Sequence, residues 1–308
     1  MRTNTSHRGD ALVALVLFTI GSAAVTACSS EQRDSRGAEV SEATVSPKRE
    51  ARARKTAEAW DGSKAAEAWH KGYYPLGEAV QLPEHGLRTA TDERAYESLN
   101  FVLRAELPAS PPREGQVQWK SGDALALPLV GARQAYDTLD RDNSPGPHLI
   151  VTGARLGKMN IVTSRGPATV PAWMFTLEGY DAPLKRVAVS PSKLPEPPIK
   201  TAGSVPSGDL WPLQRLVEIS GDGKSITVVA NHGSCDDGPG LDVLETSGSV
   251  VLSAFIVGAE TGPCSGQMDG KNVTVKLARP VGTRILLDAF TGRPVPYGQA
   301  NGPSPSWS

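Results

Sequence analysis

The stretch Ala168-Thr169-Val170-Pro171-Ala172-Trp173-Met174-Phe175-Thr176-Leu177 is apolar on both parities, with Val170, Ala172 and Met174 on one and Trp173, Phe175 and Leu177 on the other. Successive side chains of an extended segment point to opposite faces, so this run needs cover on both sides and predicts a central strand. Pro171 argues against that reading, because proline donates no ladder hydrogen bond and keeps to edges and bulges. Outward from it, short apolar runs bounded by turn signals predict strands at 100–105, 148–153, 159–164 and 185–189, with a short helix at 132–139.

On the C-terminal side, Pro191-Ser192-Lys193-Leu194-Pro195-Glu196-Pro197-Pro198 favours extended polyproline geometry and 201–208 is small and polar, which predicts a linker. Further strands are expected at 213–220, 225–232, 241–245, 249–258, 271–279 and 284–288. Residues 271–279 alternate cleanly, Val273, Val275 and Leu277 against Asn272, Thr274 and Lys276, which is the pattern of a strand with one wet face. Gly221-Asp222-Gly223 offers a hairpin turn. With 25 prolines, 31 glycines and 6% aromatic residues, the chain reads as mainly β, all-β or α+β. A short helical segment is expected first, then two small β domains, the second a disulfide-linked sandwich.

On the N-terminal side, Thr56–Lys71 has helix-forming composition broken at Asp61-Gly62, which predicts two short helical pieces. Trp60 and Trp69 read as packing anchors. In the loop Gly72-Tyr73-Tyr74-Pro75-Leu76-Gly77 the paired tyrosines suit either the rim of a small-molecule site or packing, and packing is the simpler reading. Residues 28–57 lack aromatics and are rich in Ser, Glu, Arg and Ala, so they are expected to act as a disordered tether. Their basic cluster, Lys48, Arg49, Arg52, Arg54 and Lys55, suits anionic lipid headgroups or wall polymers, or more simply the solvated start of a helix.

Residues 1–27 read as a secretory signal. Arg2 and Arg8 precede an apolar run at 11–20, which is too short to span a bilayer and ends in small residues. Val25-Thr26-Ala27-Cys28 resembles the lipobox of bacterial lipoproteins. That resemblance implies cleavage before Cys28, lipidation at Cys28 and an anchor on the extracytoplasmic face of the membrane. The three cysteines of an exported chain then leave Cys235 and Cys264 to pair. Closing that loop of about 30 residues would contribute roughly 3–4 kcal/mol on the chain-entropy model.

The expected organisation is a signal peptide at 1–27, the tether at 28–57, and the helical segment plus first β domain at 58–190. A Pro-rich linker at 191–208, a second β domain at 209–297 and a disordered tail at 298–308 follow. The segments Thr163–Trp173, His232-Gly233-Ser234-Cys235-Asp236 and Asp288–Val295 resemble patterns in uncharacterised secreted lipoproteins of actinobacteria. That family brings no activity and implies no site residues.

A net charge of −1 gives no basic field for nucleic acid. No nucleotide-binding glycine motif stands between a strand and a helix, so no cofactor is expected. No metal is expected either: Cys235 and Cys264 have no C-x-x-C neighbour, and Asp140-Arg141-Asp142-Asn143-Ser144 starts like a calcium loop but has Pro145 at the glycine position and Val151 in place of the bidentate acid. His232, Ser234, Asp236 and Asp237 supply hydrolase residue types without a nucleophile elbow, and adjacent positions rarely form a triad. Two readings follow. One is a binding or interaction module partnered by membrane lipid through Cys28 and by a cell-envelope protein or polymer. The alternative is an envelope hydrolase with its site near His232. The first is favoured, and no catalytic residue is assigned.

Overall fold

The computed structural model describes residues 46–109, 113–142, 144–203, 209–258 and 265–298. Its elements up to the Pro-rich segment are α1 (Pro47–Trp60), α2 (Lys64–Lys71), β1 (Val80–Gln81), α3 (Ala90–Glu97), β2 (Phe101–Leu103), β3 (Glu114–Trp119), β4 (Ala124–Pro128), α4 (Ala132–Asp137), β5 (Leu149–Thr163), β6 (Gly166–Leu177) and β7 (Leu184–Val187). After it come β8 (Leu213–Ile219), β9 (Ser225–Gly233), β10 (Gly238–Glu245), β11 (Ser249–Val257), β12 (Met268–Lys276) and β13 (Ile285–Asp288). The fold is mainly β with short helices, as the composition and the strand patterns predict.

Strands β1 to β7 form one seven-stranded sheet with β6 at its centre. β6 pairs along one edge with β5, from Thr163↔Gly166 to Val151↔Leu177. Its other edge is shared, β3 meeting Ala168 and Thr169 and β7 meeting Ala172 to Phe175. Pro171 falls in the gap between these two partners, and its carbonyl there accepts from the Ala188 amide at 2.8 Å. The missing proline donor therefore points to the place where the neighbouring strand changes, which is how a proline fits a central strand. The two parities read from the sequence do reach different cores. Trp173, Phe175 and Leu177 pack with Ala135 and Tyr136 of α4, whereas Val170 and Ala172 pack with Val117, Trp119 and Tyr73.

Two three-stranded sheets, β10-β11-β13 and β12-β9-β8, make a sandwich. Val250, Leu252, Ala254 and Leu286 of one sheet bury against Leu213, Leu216, Ile226, Val228 and Ala230 of the other. The opposite face of the first sheet, Val251, Ile285 and Leu287, is covered by Ala53, Ala57 and Trp60 of α1 and by Ala65, Ala66 and Trp69 of α2. This half of the molecule thus has three layers, helices on sheet on sheet.

Two expectations are corrected here. Residues 47–57, expected in the tether, form most of α1, starting with Pro47 in the first turn, where its missing N–H costs nothing. The stripe Arg49, Ala53, Thr56, Ala57 and Trp60 is buried although it contains a single aromatic residue. Arg49 takes the place of a hydrophobe, with its guanidinium 3.7 Å over the Phe255 ring and paired with Asp242 at 2.6 Å. The expected grouping of the helical segment with the first β domain is also revised, since α1 and α2 cover the second set of strands.

The described residues from 46 to 298 form one compact unit, and the segment at 191–203 is packed within it rather than free. The Ser192 amide donates to the Tyr73 carbonyl and the Ser192 hydroxyl accepts from the Tyr73 amide, both at 2.9 Å. Tyr74 donates to the Lys193 carbonyl, and Leu194 packs against the helical core. The chain therefore leaves the three-layered half at Tyr73, builds the seven-stranded sheet and returns beside Tyr73 at Ser192. The expected signal at 1–27, Cys28, Cys264 and tail residues 299–308 lie outside the described residues.

Candidate functional site

The turn between β9 and β10 gathers the residues of the hydrolase alternative. Asp236, 6% exposed at its side chain, accepts from the amides of Gly233 at 2.7 Å and Gly238 at 2.9 Å and contacts His232 Nδ1 at 3.1 Å. Its carboxylate closes the turn. The Ser234 hydroxyl is turned to Ser265, 2.7 Å away, and no hydroxyl is bonded to His232 among the described residues. The sequence neighbours are thus held in a loop without converging as nucleophile, base and orienter.

A second arrangement lies where the chain crosses between the two halves. Gly72 allows the crossing, because a Cβ there would fall within the ring of Tyr74, which itself stacks on Trp69 at 4.1 Å and 7°. Tyr73 is thereby driven inward and is 0% exposed. Pro75, Ala79, α4 and the end of β7 close round a cavity of about 200 Å³, with Gln134 and Ser190 exposed at its open side. Its apolar walls include Val130, Val187, Val189 and Pro191.

Arg186 supplies this cavity with a charge. It sits on β7, is 8% exposed, and donates from Nε to Thr138 Oγ1 at 3.1 Å and from Nη1 to the Ala79 carbonyl at 3.5 Å. A guanidinium carries five N–H donors, and no carboxylate pairs with this one among the described residues. Burial pulls its pKa down to about 10, nearby Arg141 pulls the same way, and Tyr73 and Tyr96 oppose them. The Tyr73 hydroxyl is buried without a hydrogen-bond partner among the described residues, and burial pushes its pKa well above the ordinary phenol value, so it stays an O–H donor. The cavity wall therefore holds a guanidinium with N–H donors beyond those given to Thr138 and Ala79, and a phenol O–H with no acceptor among the described residues.

The Tyr73 ring packs with Val117 and Val170, in line with the packing reading, and the residue also lines the cavity. Arg186 was missed. In sequence it follows Lys185 and resembles an exposed charge at a strand end; the available signal was its phase, two residues from buried Leu184. Trp173 is a core residue whose Nε1 donates to the Val130 carbonyl at 2.8 Å.

The basic cluster of α1 divides. Arg49 and Arg52 bind the helix to the sheets, Arg52 donating to the carbonyls of Ala289 at 2.8 Å and Lys200 at 2.7 Å. Lys48, Arg54 and Lys55 are exposed, and Lys48 and Lys55 border an open groove of about 810 Å³. Among the described residues no helix is long and apolar enough to cross a membrane, and no three His, Cys, Asp or Glu residues form a metal-holding group. Comparison with family models, curated proteins and solved structures finds no match.

Proposed function

We propose that this chain is a binding module of the cell envelope, lipid-anchored at Cys28 on the extracytoplasmic face, that holds a small anionic ligand in the cavity at Tyr73 and Arg186. The observation that carries the reading is Arg186 itself, a buried cation without a carboxylate partner among the described residues. An uncompensated buried charge is costly, so proteins pair it, neutralise it or keep it to bind something. The hydrolase alternative receives less support, since His232 and Asp236 have no serine aligned with them among the described residues.

The anchor is tested by Cys28→Ser, which should release the protein to the medium or leave an unprocessed precursor; unchanged mass and fractionation would refute it. The site is tested by melting the detergent-solubilised mature protein in acetate or phosphate against chloride at equal ionic strength. Specific anions should raise the melting temperature in the native protein and not in Arg186→Met. No difference between the anions in the native protein would remove the site.

A further inference from the structure

Resting on that site, we infer that its ligand is a small carboxylate with a short apolar body, its head held by Arg186 and Tyr73 and its body lying against Val130, Val187, Val189 and Pro191. Three observations converge on this class. Beyond the donors given to Thr138 and Ala79, the guanidinium keeps further N–H groups, and with the Tyr73 O–H these suit the two oxygens of a carboxylate. The walls beyond them are mostly aliphatic, which suits a hydrocarbon body better than the several remaining oxygens of a phosphate, whose desolvation nothing there would offset. The space, about 200 Å³, equals roughly seven water volumes at about 30 Å³ each and is below the ~300–1,000 Å³ of sites for drug-sized ligands.

The charge balance agrees. The groups acting electrostatically on Arg186 are Tyr73, Tyr96 and Arg141, none of them a carboxylate, and the tyrosines are protonated at ordinary pH, so a bound carboxylate would meet positive potential without a competing carboxylate. Tyr73 keeps its proton throughout the ordinary pH range and can donate at any pH at which the ligand is ionised.

Titration of the full-length protein by calorimetry with acetate, butyrate, hexanoate and octanoate, with butyramide and inorganic phosphate as controls, decides the matter. Affinity should rise by roughly fourfold per added methylene, and then fall once the body outgrows the cavity, before octanoate. Butyramide should not bind measurably. Arg186→Met should weaken the best carboxylate by about a hundredfold or more, and Tyr73→Phe, nearly isosteric, by roughly three- to tenfold. Melting curves of both variants in ligand-free buffer, expected no lower than native, establish that they fold. Phosphate binding as tightly as the best carboxylate, with loss in Arg186→Met, would overturn the ligand class while leaving the anion site standing. Butyramide matching butyrate would overturn the role given to Arg186, and absence of binding by every probe would overturn the site with it.

Discussion

Asp288 ends β13 and turns the chain back through a tight loop. It is 2% exposed, and its carboxylate accepts from the Phe290 amide and the Thr291 hydroxyl, each at 2.9 Å. Burial outweighs these donors and lifts its pKa to about 6, above the ordinary 3.8. A carboxyl whose pKa is raised by folding binds its proton more tightly in the folded state. Its contribution to stability is therefore complete below the ordinary value and is lost as pH rises through about 6. The gain on acidification is on the order of 3 kcal/mol at most. The stability difference between the native chain and Asp288→Asn should shift in favour of the native chain as pH falls from 7 to 4, when both are melted in parallel. A difference independent of pH would show that Asp288 titrates normally. The same logic governs Arg186 with opposite practical effect: Arg186→Met removes an unpaired buried charge, and Thr138, which still donates to the Ala135 carbonyl at 2.7 Å, keeps a partner. Its melting temperature should equal or exceed the native value even as ligand binding is lost.

Among the elements, α1 shows most clearly how far the sequence could be read. The break at Asp61-Gly62 was legible from composition, and Gly62 indeed takes a left-handed φ of 70°. That the preceding residues belong to a core was not, because the inward stripe begins with Arg49, whose burial depends on Phe255 and Asp242 some two hundred residues away. β6 lies at the other extreme, its two faces evident from parity and only the solution at Pro171 requiring the partners on its edge. The hairpin β3–β4 went unread although Val117 and Trp119 alternate with glutamines and Ser121-Gly122 supplies a turn; its strands are short and β4 is half-exposed. The cavity was illegible for a related reason: its parts come from the loop at 72–79, α4 and β7, and no local pattern announces that they meet. Trp60, fully buried with its Nε1 donating to the Gly292 carbonyl at 2.8 Å, holds α1 in place. Trp60→Ala should cost about 3–5 kcal/mol in denaturant unfolding. A loss under 1 kcal/mol would mean that α1 is not part of the cooperative structure.

For the whole molecule, the packing of α1 and α2 on β11 and β13 sets what can fold alone. A fragment from Asp209 to Tyr297 has both small sheets but leaves Val251, Ile285 and Leu287 uncovered. It should aggregate or melt without cooperativity in an oxidising compartment, and a sharp reversible transition would show that the helices are dispensable. In the full chain the Cys235–Cys264 bond, which we propose, should raise the melting temperature relative to reduced protein. Alkylation of non-reduced, denatured protein that labels both cysteines would refute the bond.

The paired contacts between Tyr73 and Ser192 give the molecule a neck, crossed outward and back at a single point. Topologically the seven-stranded sheet is a cassette spliced into a smaller host, and its two splice points are already hydrogen-bonded to each other. A host rejoined across that bond would retain its helices and both small sheets. The residues lining the proposed ligand site all fall between Tyr73 and Pro191, so the site would leave with the cassette and the host would lose it.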